Sequence, residues 1–375
     1  MSADRVVHSV RSGGDDDAWL AFDAGVVVDR GTCDGWRVLA PRDAVDGDGG
    51  CLAPGFIDIH GHGGGGATYD DGADAIATAR ALHRSHGTTR AVVSLVTASI
   101  DDLAERAALV ADLAEADPTI LGSHLEGPFL DPGHKGAHTG SLLRLPDAAS
   151  VDRLLEAGRG TIRQVTIAPE LDGAHDAIRV FVEAGVAVAI GHTDADADAA
   201  KRAFDAGATI VTHAFNAMRG IHHRAPGPVV AALQDDRVTL ELIPDGVHVD
   251  LSLIAVAFDA APGRIALVTD AMAAAGASDG RYELGGLAVE VADGVARLAD
   301  DAAIAGSTLT QDEALRNVVA AGVAVDAALA ALTATPARAI GRPDLGRLEI
   351  GSAADAVLLD DALRVQHVWV AGDPI

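Results

Sequence analysis

The chain carries fifteen histidines, and six of them, His60, His62, His124, His192, His213 and His248, stand at the ends of short apolar runs. Glu126 follows His124 by two residues, and Asp270 closes a further run. Neutral imidazole and carboxylate are donors that Zn2+ or Fe2+ accept, with a position left open for water. Residues two apart on a strand project from the same side, so His60 and His62 can bind one ion. An isolated HxH pair is weak evidence. The same pair followed by Glu126, two further histidines and Asp270 on later strand ends predicts a divalent-metal centre. A carboxylate at such a centre can also move a proton.

Eight apolar runs must place these residues: 55–60, 88–97, 120–127, 162–170, 186–193, 209–216, 239–249 and 264–272. The segments 73–86, 101–116, 147–157, 174–184 and 196–206 between them carry apolar residues three and four apart and read as helices. Gly87, Gly158, Gly185 and Gly207 occupy the left-handed position that ends a helix. Alternating helices and near-continuously apolar strands imply a parallel sheet buried on both faces. Eight strands close a (β/α)8 TIM-type barrel, and a doubly wound open sheet is the rival. The reactive residues favour the barrel, whose strands all end on one catalytic face.

Residues 1–52 and 341–375 have a different character. Short β-like pieces (19–22, 25–28, 37–39, 354–359 and 365–370) are broken by Gly and Asp, and together they predict a small β-sandwich domain beside a barrel spanning 53–340. A hairpin-like insert falls near 282–298.

Composition excludes several functions. The formal charge is -27, with only two lysines, Lys135 and Lys201. Such a field repels phosphate backbones and anionic membranes, so no nucleic-acid or membrane partner is expected, and an anionic substrate needs a local positive site. No apolar stretch reaches the ~18 residues of a membrane span. The first fourteen residues lack the apolar core of a secretion signal, which makes the cytoplasm the expected address. Cys33 and Cys51 are too few for a disulfide framework. The run Gly63–Gly66 lacks the Lys-Ser/Thr of a phosphate loop. Asp194, Asp196 and Asp198 lack the glycine and closing glutamate of a calcium loop and read instead as the opening of a helix.

The ordered motifs resemble those of the N-acetylglucosamine-6-phosphate deacetylases of the amidohydrolase superfamily. They are PGFIDIHGH at 54–62, HLEGPFL at 124–130, KGAH at 135–138, APE at 168–170 and GHT at 191–193. HAFNAM at 213–218, DGVH at 245–248, TDAM at 269–272 and AGSTLT at 305–310 follow. The resemblance runs from about residue 50 to residue 351.

It implies that Glu126, His192 and His213 hold the principal ion and that His60 and His62 bind a second one bridged by Glu126, for one or two ions per subunit, with Asp270 also among the metal residues. The carboxylated lysine of other amidohydrolases has no counterpart on the fourth strand. It further implies hydrolysis of N-acetyl-D-glucosamine 6-phosphate to D-glucosamine 6-phosphate and acetate. The ion supplies a hydroxide at neutral pH, Asp270 acts as general base and then acid, and His138 polarises the carbonyl. Arg224 would bind the phosphate with Asn216, Ala217 and His248. Ala137, His138, Ile304, Ala305 and Gly306 would line the sugar pocket. Some of these groups would come from a second subunit, which implies a homodimer. His222 and His223 have no assigned role. The alternative is an amidohydrolase for another N-acylated amino sugar, such as N-acetylgalactosamine 6-phosphate. A scaffold that has lost catalysis is disfavoured, because a pure binding site has no use for Asp270.

Overall fold

A computed structural model describes residues 3–301 and 303–375. Eight parallel strands form the central sheet: β1 (Phe56–Asp58), β2 (Thr88–Val96), β3 (Ile120–Glu126), β4 (Ile162–Ile167), β5 (Ala187–Ile190), β6 (Ile210–Val211), β7 (Thr239–Leu242) and β8 (Ile265–Leu267). They pair in sequence order with no reversal. A doubly wound sheet would reverse its order at a switch point, so the barrel reading holds. Closure comes just past the strands. Asp270 N donates to His60 O (2.8 Å), His62 N to Ala271 O (2.7 Å) and Thr269 Oγ1 to Asp58 Oδ2 (2.6 Å).

Every residue of β2 and β3 is buried, as expected for strands covered on both faces. The cover is a ring of helices: α1 (Ala73–Ser85), α2 (Ile100–Ala116), α3 (Ala148–Gly158), α4 (Ala174–Glu183), α5 (Ala197–Ala206), α6 (Gly227–Leu233), α7 (Leu251–Ala260) and α8 (Gln311–Ala320). Ser99, Asp147 and Asp196 cap α2, α3 and α5 by accepting a backbone N–H three residues on, which satisfies donors the helix cannot. Asp196 is therefore a cap and not a calcium ligand.

Gly87, Gly185 and Gly207 take positive φ as expected, but Gly158 does not. Arg159 (φ 48°) takes the left-handed turn, and Gly158 stays helical. A Cβ at Gly158 would meet Ile162 Cγ1 at 2.4 Å, so close packing on β4 requires glycine there.

The second sheet joins both ends of the sequence. Arg5–Ser12, Asp15–Asp23, Val26–Thr32 and Asp43–Asp46 form one wing. Cys51–Pro54, Ala356–Leu359, Val365–Val370 and Asp373–Pro374 form the other. The wings meet at Arg11–Cys51 and share one core, in which Val7, Leu20 and Phe22 pack with Leu52, Leu358 and Trp369. The boundary expected after residue 52 falls inside a strand of this sheet. Arg37–Leu39, expected as β, belongs to a 3-10 turn over Cys33–Leu39, where Arg37 Nε reaches back 2.8 Å to Asp34. The insert is a three-stranded meander (Gly280–Leu284, Leu287–Ala292, Val295–Leu298) rather than a hairpin.

Candidate metal centre

The expected ligands converge where the strands end. His60 and His62 follow β1, and Glu126 is the last residue of β3. His192, His213 and Asp270 lie two or three residues beyond β5, β6 and β8, and all three take positive φ (47°, 26° and 47°). Non-glycine residues pay roughly 1–3 kcal/mol for such backbone, so the surroundings must hold it. Asp270 is held from both sides, because its N donates to His60 O and its O accepts from Ser307 N (2.7 Å). Gly306 (φ 67°) lets this segment approach, since a Cβ there would lie 2.9 Å from Asp270 O.

The ligand atoms form two groups among the described residues, His60/His62/Asp270 and Glu126/His192/His213. His60 Nε2 is 3.2 Å from Glu126 Oε1 and 3.6 Å from Asp270 Oδ1. His62 Nε2 is 3.1 Å from Glu126 Oε2 and 3.3 Å from Asp270 Oδ1. Glu126 Oε1 also lies 3.3 Å from His192 Nε2 and 3.2 Å from His213 Nε2. Glu126 therefore touches both groups, the position a bridging carboxylate needs.

The donor set fits a cation. His192 Nε2 and His213 Nε2 stand 2.9 Å apart, facing the same carboxylate. Among the described residues, buried His60 Nε2 has no hydrogen-bond partner. Burial pushes the Glu126 carboxyl up, but the His60 charge and hydrogen bonds from His138, His192 and His213 outweigh it and hold the group well below its usual range. Burial likewise opposes ionisation of Asp270, and the charges of His60 and His62 win. His62 is pushed by burial toward neutrality, yet Asp270 and Glu126 raise it to about 9. Burial lowers His138 to about 4. The centre thus presents two ionised carboxylates to imidazoles crowded at their open nitrogens, which is what divalent ions neutralise.

A cavity of about 340 Å³ opens above these groups. His62, Glu126, His192, His213 and Asp270 line it on one side. Of the expected substrate contacts, Ala137, His138, Asn216, Ala217, His248, Ile304 and Gly306 also line it. Three expected residues do not. His60 lies beneath the floor, Ala305 is fully buried, and Arg224 sits in the exposed segment 219–226. His222 and His223 stack in that segment with ring centroids 4.3 Å apart. His124 ligates nothing. Its nitrogens meet Ser94 Oγ (2.9 Å) and Thr166 Oγ1 (2.8 Å), and burial together with the nearby His60 charge holds it well below its ordinary pKa.

Two residues went unread in the sequence. Glu241 on β7 is fully buried and lies 3.0 Å from His60 Nδ1, and Gln164 on β4 donates to Glu241 (2.7 Å). The signal was an acidic residue inside the apolar run Thr239–Leu242, at a position facing the barrel interior.

Comparison with known proteins places this geometry. The amidohydrolase family model matches residues 51–375. The chain is 43% identical to an N-acetyl-D-glucosamine-6-phosphate deacetylase mutant from Mycobacterium smegmatis, solved in complex with N-acetyl-D-glucosamine-6-phosphate. That match has a TM-score of 0.93 and covers 99% of this chain and 98% of the other. It is 40% identical over 342 residues to an N-acetylgalactosamine-6-phosphate deacetylase of Escherichia coli O157:H7, covering 88% of this chain and 89% of the relative. It is 37% identical over 340 residues to a Homo sapiens N-acetylglucosamine-6-phosphate deacetylase, covering 86% and 82%.

Proposed function

This chain belongs to the amidohydrolase family, and from that membership we propose that it deacetylates N-acetyl-D-glucosamine 6-phosphate, giving D-glucosamine 6-phosphate and acetate. The observation that carries the reading is the meeting of both ligand groups at Glu126, beside a cavity that Asp270 also lines, in a chain 43% identical to a deacetylase solved with that sugar phosphate.

Imidazole and carboxylate donors suit Zn2+ or Fe2+; Glu126, His192 and His213 would hold one ion and His60, His62 and Asp270 a second. Such ions polarise an amide carbonyl and make water nucleophilic at neutral pH. Asp270, ionised and lining the cavity, takes the proton of the attacking water at its carboxylate and returns it to the departing sugar nitrogen. His138, kept neutral by burial, turns its one N–H from Glu126 to the carbonyl oxygen as charge develops there. Ala137, Ile304 and Gly306 wall the sugar, and Asn216, Ala217 and His248 face its phosphate end.

Arg224 completes phosphate binding from a neighbouring subunit of a homodimer, since within one chain it stands outside the cavity lining. No helix among the described residues is long and apolar enough to cross a membrane, and we place the enzyme in the cytoplasm, in amino-sugar catabolism. The Escherichia coli relative supports a second reading, the galactosamine epimer as substrate.

Acetate release from the two 6-phosphates and from unphosphorylated N-acetylglucosamine tests these readings. Glucosamine 6-phosphate should form fastest. Preference for the galactosamine 6-phosphate would install the second reading, and release from neither would defeat both. Arg224→Ala should lower kcat/KM for the phosphorylated sugar by roughly 10–150-fold, the loss of one charge-assisted contact, and leave the unphosphorylated sugar unchanged. Mixing Arg224→Ala with Asp270→Asn should restore activity if the site is shared. No rescue after verified subunit exchange would place the site within one chain.

A further inference from the structure

We propose that Glu241 is a positioning residue of the metal centre, which aims His60 Nε2 at the second ion. The inference rests on the reading of His60 as a ligand.

Glu241 sits in the middle of β7 with no exposed surface. Burying a carboxylate is costly unless a positive partner or good hydrogen bonds compensate. Its oxygens accept from Gln164 Nε2 (2.7 Å), from His60 Nδ1 (3.0 Å) and from the backbone N–H of His213 (3.3 Å). Two of these three donors belong to metal-centre residues. The natural counter-charge for Glu241 is therefore the centre itself, reached through the His60 ring.

Geometry gives the contact its use. An imidazole whose Nδ1 donates to a carboxylate keeps its proton there, and the lone pair of Nε2 is left for an ion. His60 Nε2 faces Glu126 and Asp270 with no hydrogen-bond partner of its own. The neighbouring ligands are held otherwise. His192 Nδ1 meets the carbonyl of His134 (2.9 Å), whereas His62 Nδ1 and His213 Nδ1 have no partner among the described residues. The Glu241 oxygen that takes the His60 ring also takes His213 N, and the Glu241 carbonyl accepts from Ala214 N (2.8 Å). One residue thus ties a ligand of each group to β7.

Glu241→Gln keeps the shape. Its amide oxygen can serve His60 and His213 while Gln164, whose own oxygen is unpartnered, turns to accept from the new NH2. What it removes is the carboxylate. Metal-free wild type and Glu241→Gln would each be titrated with Zn2+ against a competing chelator, with bound zinc counted per chain. The weaker-bound ion should lose about 10–100-fold in affinity, the usual cost of disturbing an outer partner of a ligating histidine, and the tighter ion should stay within about threefold of wild type. In a His60→Asn background the same change should leave the remaining ion's affinity unaltered.

Equal Zn2+ affinities in wild type and Glu241→Gln would overturn the inference. A further loss in the His60→Asn background would also overturn it, because Glu241 would then act through general packing. If Glu241→Gln does not fold, Gln164→Leu decides. It frees Glu241 without touching a ligand and should weaken the same ion severalfold, and an unchanged affinity overturns the proposal. Wild type that binds no Zn2+ would instead defeat the reading of the centre.

Discussion

His60 and His62 arrive on the segment just past β1, and His60 is anchored from behind by Glu241. His192 and His213 arrive on left-handed backbone beyond β5 and β6, and His213 has an unpartnered Nδ1. The two ligand groups touch the same Glu126, yet costly left-handed backbone carries two residues of the second group, His192 and His213, and only Asp270 of the first. The second has more to gain from an ion, because two imidazole nitrogens 2.9 Å apart need something between them.

Asp270 belongs to the first group and also lines the cavity, so it decides whether that group does chemistry. Asp270→Asn keeps the size of the side chain and should retain the fold and at least the Glu126/His192/His213 ion. Acetate release should fall ~10²–10⁴-fold, the usual contribution of a general acid–base group. A loss under about threefold would leave the first group with no role beyond holding an ion.

Replacing His60 and His62 together with Asn tests whether the groups are separate. Metal analysis should show one ion fewer per chain, with the Glu126/His192/His213 ion intact. Loss of both, or of neither, would merge the two groups into one.

Stripping metal with a chelator should then sharpen the contrast. An ion present at 100 times its dissociation constant stabilises the folded state by about 2.7 kcal/mol. Urea unfolding of wild type should show two such increments on removal of metal, and the His60/His62 variant one. Equal losses in the two proteins would mean that the first group binds no ion that matters to stability.

The smallest effect concerns the support of the loop after His62. His83 on α1 is buried and lies 2.9 Å from Gly63 O, and burial depresses it to about 4 against an ordinary 6.5, with Arg80 and His86 adding to the effect. Protons then bind the unfolded chain in preference, so stability is full above pH 6.5 and is lost as the pH falls toward 4. At pH 5 the loss attributable to this residue is about 2 kcal/mol. His83→Gln, which keeps a donor for Gly63 O, should flatten the fall in unfolding free energy between pH 7 and 5, and an unchanged slope would remove His83 from the account.

Much of this was legible in the sequence. Eight apolar runs mark the strands, and His60 and His62 do meet, but on the segment past β1 and not by alternation along it. Spacing could not show where each strand stops. The run from Thr209 to Asn216 reads as one strand, but pairing ends at Val211 because His213, Phe215 and Ala217 all turn left-handed, and no residue type there announces it. Gly158 misled for the opposite reason, since a glycine kept for close packing looks like one kept for φ. Glu241 was overlooked because an apolar run was read for its length and not for the single charge within it. The phosphate-binding role proposed for Arg224 rests only on the family pattern, and within one chain Arg224 does not line the cavity.

The small sheet has a consequence for how the protein is made. Cys51–Pro54 pairs along its length with Ala356–Leu359, and β1 of the barrel begins only two residues later, at Phe56. About 300 residues separate those partners, so at ~5–20 residues per second a ribosome needs on the order of 15–60 s to deliver the second after the first. Throughout that interval the barrel's first strand hangs from an open edge, the kind of surface that invites pairing with another chain. The barrel can assemble strand by strand as it emerges, but its mooring is completed last.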